Sequence, residues 1–435
     1  MSREHAWHIW NAAVEAVRPE PLVRAVVEAD TMIREAPRII VVGAGKAGPG
    51  MAAGFEAALA DRLERVEGIV NVPAGTNLQL QRIRLHTARP VGLNEPTPEG
   101  VVGAEQMLRL LSHAGPEDVA VCLLSGGGSA LLPAPAEGIT LADKLVVTQL
   151  LHRRGATINE MNCVRKHLSR VKGGRLAEAF RGQRLISLVI SDVVGDPLDV
   201  IASGPTAPDP TTYAQALDVL RRYQLLESVP HSVRHLLEAG SRGELPETPK
   251  ALPNFVENRI IANNRRALDA AKHHAERLGY RVLDLGSFVE GETRQVATVV
   301  AGLVRSIQRD HIPLPPPVCL LLGGETTVSL GSHPGLGGRN QEFVLALLAK
   351  LGDASLRGVT ILSGGTDGED GPTDAAGAIA DEDTLRRAKQ LLLNPEWFLA
   401  NHDSYHFFDQ TGSLMRTGLT GTNVMDVRLV LITTV

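Results

Sequence analysis

The amino-acid sequence predicts an α/β protein with two α/β domains, the N-terminal one Rossmann-like with a mainly parallel sheet. The first observation is length, because 435 residues exceed one ordinary domain of roughly 100–200 residues. The second is an alternation of short, continuously apolar runs with stretches of helical periodicity. This pattern is typical of parallel strands covered by helices on both faces. The third is that several apolar runs end in glycines.

The first half of the chain carries the alternation most clearly. Strands are predicted at RIIVV (38–42), GIVNV (68–72), VAVCLL (119–124) and LISLVI (185–190). Helices are predicted from about residue 46 and over 97–113, 140–153, 157–180 and 211–240. On the first of these helices, Met51, Gly54, Phe55 and Ala58 recur at helical spacing and are expected to share one face.

A proline-containing segment is predicted to separate the two domains. GELPETPKALPN at 243–254 holds three prolines and has no periodicity, as expected of a linker. The predicted domains are therefore 1–242 and 243–435. Further strands are predicted at RIIAN (259–263), RVLDL (281–285), VCLLLGG (318–324), VTIL (359–362) and VRLVLITTV (427–435), with helices over 265–278 and 291–309.

Composition excludes several classes of protein. The formal net charge is −5 and aromatic residues make up 3%, which argues against nucleic acid and membrane surfaces as partners. No apolar stretch is long enough to span a bilayer, and the N-terminus lacks the apolar core of a secretory signal. Cys122, Cys163 and Cys319 form no C-x-x-C pair and are expected to be buried thiols in a reducing compartment. The expected location is the cytoplasm.

Glycine-rich turns after apolar strands point to a ligand site. They occur at VVGAGKAG (41–48), LLSGGGS (123–129), LLGGET (321–326) and LSGGTDG (362–368). Ligands of α/β sheets bind beyond the carboxyl ends of the strands, where glycine allows backbone N–H groups to face an anion. One such turn is weak support for a site, whereas four in one chain favour it.

The first of these turns matches G-x-G-x-x-G at Gly43, Gly45 and Gly48. A dinucleotide-binding fold requires an acid at the end of the second strand, where this chain has Asn71. A P-loop requires Ser or Thr after the lysine, and Ala47 follows Lys46. The turn is therefore predicted to bind an anion, with Lys46 suited to a phosphate or carboxylate. A surface lysine at a helix start is an equally good interpretation.

The second turn offers backbone donors and two hydroxyl groups. Its residues are Ser125, Gly126, Gly127, Gly128 and Ser129. G-x-S-x-G spacing is absent, so a serine nucleophile is not expected. The turn is predicted to hold a phosphate, and the alternative is that Ser129 is a helix N-cap.

A long loop after LISLVI contributes a second set of candidates. Asp192 and Asp196 follow the strand and can hold a hard cation or accept a hydroxyl proton. An Asx-turn at Asp196 is the alternative. Ser203 and Gly204 lie in a further turn of this loop, and long loops in compact domains are more often functional than idle.

The second half of the chain carries an arginine and several acids among glycines. Arg339 follows Gly337 and Gly338 and precedes Asn340 at a predicted helix start, where its planar fork suits a phosphate or carboxylate. Glu325 and Asp367 are candidate ligands of Mg²⁺ or its water shell. A surface arginine and a solvated acidic loop are the alternatives.

Seven segments together resemble one family. They are GAGKAG, LLSGGGSALL, INEMNCVRKHLSRVKGGRLA, SDVVGDPLDVIASGPTAPDPTTY, GGETTV, GLGGRNQE and LSGGTDGEDGPTDAAGA. In this order they resemble the class II glycerate kinases, or glycerate 2-kinases, once labelled hydroxypyruvate reductases. The likeness extends from about residue 5 to the last residues of the chain.

The resemblance implies two α/β domains with the active site in the cleft between them. It also implies ATP- and Mg²⁺-dependent phosphorylation of D-glycerate at the 2-hydroxyl. Lys46 and Arg339 correspond to active-site residues of that family. The family pattern G-H-P-x-P corresponds here to ARPVGLNEPTPEG (88–100), in which Arg89 takes the place of the histidine.

These considerations assign a role to each candidate. Lys46, Arg339 and Asp192 are expected to be catalytic, with Asp192 contacting the attacking hydroxyl. Residues expected to bind nucleotide or substrate are Gly43, Gly45, Ser125, Gly126, Gly127, Gly128, Ser129, Ser203, Gly204, Gly337, Gly338 and Asn340. The expected partners are ATP and D-glycerate, and a homo-oligomer is left open.

Two other functions remain open at the level of sequence. An NAD(P)-dependent hydroxypyruvate reductase would use G-x-G-x-x-G as a cofactor turn, but it leaves the other turns and Asn71 unexplained. A non-catalytic anion-binding module would bind nucleotide without turnover of glycerate.

Overall fold

A computed structural model describes residues 2–76, 78–90, 95–331 and 334–434. The helices are α1 Ser2–Glu15, α2 Pro19–Ala29, α3 Thr31–Glu35, α4 Gly48–Ala58, α5 Pro98–Ser112, α6 Gly128–Leu131, α7 Leu141–Arg153, α8 Ile158–His167, α9 Arg175–Glu178, α10 Tyr213–Arg222, α11 His231–Ser241, α12 Asn264–Arg277, α13 Thr293–Asp310, α14 Arg339–Leu356, α15 Glu382–Gln390, α16 Pro395–Ala400 and α17 Ser404–Thr411. The strands are β1 Ile39–Ala44, β2 Val66–Pro73, β3 Ile83–Arg89, β4 Val119–Leu124, β5 Arg184–Ile190, β6 Val256–Ala262, β7 Arg281–Asp284, β8 Val289–Glu292, β9 Val318–Thr327, β10 Val359–Gly365, β11 Gly377–Ala380, β12 Leu414–Met415 and β13 Asp426–Ile432.

The chain divides into two compact units. The first unit is Pro19–Ile261, and the second combines Met1–Arg18 with Ala262–Val435. This division differs from the predicted boundary between residues 242 and 243. At the later end, β6 joins the edge of the first sheet instead of beginning the second domain.

The N-terminal helix belongs to the second unit because of its packing. Trp10 of α1 is 1% exposed and donates its indole N–H to the carbonyl of Gly364 at 3.2 Å. Thr422 donates its hydroxyl to the carbonyl of Val17 at 2.8 Å. Burial of this large aromatic side chain therefore ties the first residues of the chain to its last third.

The first unit contains the predicted Rossmann-like sheet. Its six strands lie in the order β3-β2-β1-β4-β5-β6, and the pairings of β1 with β2 and β4, of β2 with β3 and of β4 with β5 are parallel. Both β1 and β4 are buried along their whole length, as their continuous apolar sequence predicts. The order reverses between β1 and β4, which is where such sheets bind ligands.

The second unit contains a mixed sheet, which the sequence did not predict. Its order is β12-β11-β10-β13-β9-β7, with β8 also paired to β9. The last strand, β13, runs antiparallel to both β10 and β9, whereas β7 and β8 run parallel to β9. An apolar run such as that of β13 is compatible with either direction, so periodicity alone could not decide it.

The cysteines are buried, as the sequence predicts. Cys122, Cys163 and Cys319 are buried free thiols, and burial raises the pKa of Cys122 and Cys319 to about 12. Among the helices described, none has the length and apolarity that crossing a membrane requires.

Helix α8 starts at a capping box in which the carboxylate of Glu160 is stabilised in its ionised form. Thr157 accepts from the N–H of Glu160, and the Glu160 carboxylate accepts from the N–H of Thr157 at 2.9 Å. Tyr223 donates its hydroxyl to the same carboxylate at 2.7 Å, and Arg222 forms an ion pair with it. These donors, the Thr157 N–H first, lower the pKa of Glu160 to about 2.

We expect Glu160→Ala to lower the free energy of unfolding by about 1 kcal/mol at pH 7, as loss of a helix cap does. Because the folded pKa lies below the ordinary value, the carboxylate contributes stability above about pH 4.5 and loses that contribution as pH falls toward 2. Urea denaturation at pH 7 and pH 3 should show the difference between variant and wild type shrinking at pH 3. Asp218→Ala, which removes an exposed surface carboxylate, is the control. A pH-independent difference would contradict this assignment.

Candidate active site

The carboxyl ends of β1 and β4 lie so close together that side chains are excluded between them. A Cβ atom on Gly43 would lie 2.2 Å from the carbonyl oxygen of Leu123, and one on Gly45 would lie 1.9 Å from Oγ of Ser125. Real Cβ atoms essentially never approach other atoms so closely. Gly43 and Gly45 are therefore required by strand packing, whatever ligand binds beyond them.

This close approach joins the first two glycine turns. The N–H of Lys46 donates to the carbonyl of Gly126 at 2.8 Å, and the N–H of Ala47 donates to Oγ of Ser125 at 3.1 Å. Ser125 is 1% exposed. Its hydroxyl therefore links the turns, and its predicted contact with a ligand stays a prediction.

Two cationic side chains flank the second turn. Gly127 has a left-handed φ of +77°, and a Cβ atom there would lie 3.4 Å from Nη2 of Arg89 and 3.6 Å from Cγ of Lys46. Arg89 ends β3 and is 6% exposed. The turn at the point of strand-order reversal is therefore bordered by a lysine and an arginine, an arrangement that suits an anion.

Arg89 lies in the segment 88–100, whose contribution the sequence left open. Residues 91–94 of that segment lie outside the described residues. In the sequence, Arg89 was marked out only because it stands where the family that the chain resembles has a histidine. The structure adds that this arginine stands beside Gly127, on the same turn as Lys46.

Ser129 is held by a polar network and is not a helix N-cap. The N-cap of α6 is Gly127, so the capping alternative is wrong. Instead, Oγ of Ser129 lies 2.9 Å from Oγ of Ser203, which donates to Oδ1 of Asn162 at 3.2 Å. Lys172 donates its ammonium to the carbonyl and to Oγ of Ser129, at 2.8 and 3.1 Å.

Ser203 lies in a backbone conformation that is strained for a side chain. Ala202, Ser203 and Gly204 have φ values of +51°, +64° and +62°, all in the left-handed region. A non-glycine residue there costs on the order of 1–3 kcal/mol, and such strain concentrates at functional sites. The structure therefore supports this loop as part of the site, although a ligand contact of Ser203 or Gly204 stays a prediction.

Asp192 follows the carboxyl end of β5 and is half buried. Since β1, β4 and β5 are parallel and adjacent, Asp192 lies at the same edge of the sheet as Lys46 and Ser125. The candidate residues of the first unit therefore lie at the carboxyl ends of neighbouring strands in one sheet. The catalytic role of Asp192 stays a prediction.

In the second unit, Arg339 is held by two carboxylates. Its Nε and Nη2 donate to Oδ2 and Oδ1 of Asp426 at 2.7 and 3.1 Å, and its Nη1 donates to Glu325 at 2.6 Å. Asp426 also pairs with Arg428 at 2.6 Å, and both of these residues are 0% exposed. Burial alone would raise the pKa of Asp426, but Arg428 and Arg339 hold it below its ordinary value.

The start of α14 is capped from the acidic loop. Asp370 accepts from the N–H of Asn340 at 2.9 Å and from that of Gln341 at 2.8 Å. A Cβ atom on Gly338 would lie 2.3 Å from the Asp370 carboxyl, and one on Gly337 would lie 2.3 Å from Oγ of Ser404. Burial raises the pKa of Asp370 to about 6. A phosphate at this helix start would have to compete with Asp370.

Asn340 connects the two carboxylates of this network. It is 1% exposed, and its amide donates to Asp370 at 3.2 Å and to Asp426 at 2.9 Å. Its Oδ1 accepts from Ser363 at 2.6 Å. The structure thus gives Asn340 a positioning role, and its predicted contact with nucleotide stays a prediction.

The predicted metal ligands do not form a cluster. Within the described ranges, no group of three or more His, Cys, Asp or Glu residues could hold a metal ion. Glu325 is paired with Arg339, and burial raises its pKa. Asp367 accepts from the N–H of Glu369 at 3.1 Å. These residues fit a Mg²⁺ ion held mostly by substrate phosphates, as nucleotide-bound Mg²⁺ commonly is.

A surface cavity of the second unit lies away from Glu325 and Asp426. It has a volume of about 730 Å³ and is lined by residues that include Arg305, Arg309, His311 and Thr433. These lie near the amino ends of β9 and β10 and the carboxyl end of β13. Glu325 and Asp426 lie at the opposite edge of that sheet, so this cavity is not the candidate active site.

Asp426 and Asp370 were missed by sequence reasoning. Asp426 immediately precedes the predicted strand 427–435 and pairs with a residue 87 positions away. Asp370 lies in the acidic loop that was recognised, but the sequence did not show which acid turns inward. The predicted location of the active site between two domains stays a prediction.

Two protein families match the chain. The chain matches DUF4147, a domain of unknown function, over residues 5–238, and the MOFRL family over residues 318–426. It is 40% identical to a glycerate 2-kinase of Pyrococcus horikoshii, across 91% of this chain and 88% of the relative. It is also 42% identical to a provisionally named hydroxypyruvate reductase of Agrobacterium vitis, across 99% and 94%.

A solved structure is similar throughout. A glycerate kinase from Thermotoga maritima superimposes with a TM-score of 0.86 at 36% identity, covering 99% of each chain. The matches define an α/β protein of the DUF4147 and MOFRL type. The chain belongs to the glycerate kinase family.

We expect Asp426→Asn to lower the free energy of unfolding by about 3–5 kcal/mol, because it leaves the buried guanidinium of Arg428 without its carboxylate. The urea midpoint of the variant measures this effect. Asp374→Asn breaks an exposed ion pair with Arg416 and should cost no more than about 1 kcal/mol. Equal midpoints for the two variants would show that Asp426 does not stabilise the second unit.

Proposed function

We propose that the chain transfers the γ-phosphoryl group of ATP to the 2-hydroxyl of D-glycerate in a Mg²⁺-dependent reaction. One observation carries the proposal. The two turns at the point of strand-order reversal are joined, and Lys46 and Arg89 both border Gly127. Phosphoryl transfer depends mostly on positioning and on neutralising negative charge, and this turn provides a rigid cationic setting for both.

The reaction needs few covalent steps. The 2-hydroxyl oxygen of glycerate attacks the γ-phosphorus, the bond from that phosphorus to the bridging oxygen breaks, and ADP leaves. The hydroxyl proton is released as the new bond forms. Asp192 is the carboxylate proposed to orient this hydroxyl and accept the proton. Lys46 and Arg89 offset the negative charge of the reactants.

Arg339 is proposed to stabilise the transferring phosphoryl group. Asp426 and Glu325 together occupy three of its N–H donors, and a guanidinium has five. No partner among the described residues occupies the other two donors, and the position of the group is already fixed. This preorganisation reduces the cost of orienting Arg339 during the reaction.

Mg²⁺ would be held by the nucleotide phosphates together with Asp367 or Glu325. When bound, it offsets charge on the β- and γ-phosphate oxygens. Glu325 would then be shared between the ion and Arg339, with which it forms an ion pair.

The environment of Asn71 argues against the reductase alternative. Asn71, at the place of the ribose-binding acid, is 0% exposed and donates its amide to the carbonyls of Gly100 and Leu131 at 3.0 and 2.7 Å. A Cβ atom on Gly103 would lie 1.9 Å from its Oδ1. Its position is therefore explained by packing of β2 against α5.

The product from ATP, Mg²⁺ and D-glycerate, identified by phosphorus NMR, tests the proposal. We expect ADP and 2-phosphoglycerate, with no 3-phosphoglycerate. Incubation with NADH and hydroxypyruvate is the counter-test. Steady loss of NADH, with no ADP formed from ATP and D-glycerate, would replace the kinase by the reductase.

We expect Lys46→Met to lower kcat with D-glycerate by roughly 10²–10³-fold, as loss of one preorganised charge stabiliser does. Arg154→Met is the matched control, since it removes an exposed cation at the end of α7 in the same unit. Steady-state rates of ADP release measure both. Turnover of Lys46→Met equal to that of the control would remove this lysine from the mechanism.

A further inference from the structure

A group of basic residues lies beside the Ser129–Ser203 pair. Asn162, which accepts from Ser203, is on α8, and Arg165 is three positions further along the same helix. Residues at this spacing are neighbours on a helix surface. Lys172 follows α8 and donates to Ser129. Lys172 thus contacts both the strained loop and the second glycine turn, and Arg165 lies on the same helix face as Asn162.

Lys172 is buried among neutral acceptors. It is 2% exposed, and its ammonium donates to the carbonyl and hydroxyl of Ser129 and to the carbonyl of Ala202 at 3.4 Å. Within the described residues no carboxylate forms an ion pair with it. Burial, with the nearby charges of Arg165 and Lys144, lowers its pKa well below the ordinary value.

Lys144 and Arg165 also lack carboxylate partners. Lys144 of α7 is 7% exposed, and its Nζ has no hydrogen-bond partner in the described parts of the chain. Burial, together with the charges of Arg165, Arg170 and Arg175, lowers its pKa to about 7. Arg165 is half buried and makes no ion pair with any described residue.

The neighbouring Lys166 is a buried cation that has carboxylate partners within the chain. It is also 2% exposed, but it pairs with Asp199 at 3.1 Å and Asp209 at 3.3 Å. Burying a charge without a counter-charge is costly. An anion from outside the chain would supply the counter-charge that Lys144, Arg165 and Lys172 do not find among the described residues, and it would favour the protonated form of the two lysines.

We propose that Arg165, Lys172 and Lys144, with the hydroxyls of Ser129 and Ser203, form a binding site for the polyphosphate chain of the nucleotide. The assignment to a nucleotide rests on the proposed function. Three cations exceed what a single carboxylate such as that of glycerate needs. A triphosphate carries several negative charges and accepts hydrogen bonds from guanidinium, ammonium and hydroxyl groups alike.

The binding of inorganic tripolyphosphate, ATP and D-glycerate, measured by isothermal titration calorimetry, tests this site. Arg165→Met is the main variant, because its guanidinium is not part of the hydrogen-bond network of the fold. We expect it to weaken tripolyphosphate and ATP roughly ten- to a hundredfold, the loss of one charge-assisted interaction, and to change D-glycerate binding less than about twofold. Arg165→Lys should restore part of the affinity.

Arg154→Met serves as the control for loss of one positive charge, and thermal melting confirms that each variant is folded. The proposed site would be overturned if the folded Arg165→Met variant bound both tripolyphosphate and ATP as tightly as the wild type does. Failure of the wild-type protein to bind tripolyphosphate would also overturn it. Selective loss of D-glycerate binding would reassign the site to a carboxylate and overturn the polyphosphate assignment.

The same measurements separate this inference from the proposed function. If the wild type does not phosphorylate D-glycerate but Arg165→Met still loses tripolyphosphate, the kinase proposal fails and the phosphate site stands. If the wild type phosphorylates D-glycerate and Arg165→Met binds ATP normally, only the phosphate site fails.

Discussion

The contact between the carboxyl ends of β1 and β4 is the constraint on which the candidate site depends. There is no room for a side chain at Gly43 or Gly45, so the two turns that follow are pressed together. Lys46 is then bonded through its backbone to Gly126, and its side chain borders Gly127 beside Arg89. In this chain, the packing of β1 against β4 explains the glycine pattern that resembles a cofactor-binding motif. The same packing brings together the two turns that Lys46 and Arg89 border.

The second unit fixes its functional arginine by a different means. Asp426 is fully buried and shared between Arg339 and Arg428, while Asp370 caps the helix that begins at Arg339. Buried ion pairs contribute little net stability but tolerate few alternative arrangements. The network therefore specifies the orientation of Arg339 at the edge of its sheet. In the first unit, by contrast, no carboxylate of the described residues pairs with Lys144, Arg165 or Lys172, which is the reason to propose a ligand for them.

The sequence predicted the buried strands well because their apolar runs leave no alternative to a covered sheet. The run VAVCLL coincides with β4. It missed β3, an edge strand whose middle residues are partly or fully exposed and so form no continuous apolar run, and it missed the antiparallel direction of β13. It placed Lys46 and the first two glycine turns at one sheet edge. It could not identify Asp426 or Lys172, because their burial depends on contacts between distant parts of the chain. A basic residue on a helix is ordinarily solvated, and only the fold shows which ones are enclosed.

The anion is proposed to bind where Lys46 and Arg89 border Gly127. A crystal structure of the protein with D-glycerate and a non-hydrolysable ATP analogue is the most direct test. We expect a phosphate or carboxylate oxygen within hydrogen-bond distance of the Lys46 ammonium. Ligands bound instead in the cavity lined by Arg305 and Arg309, with none at the Gly127 turn, would contradict it.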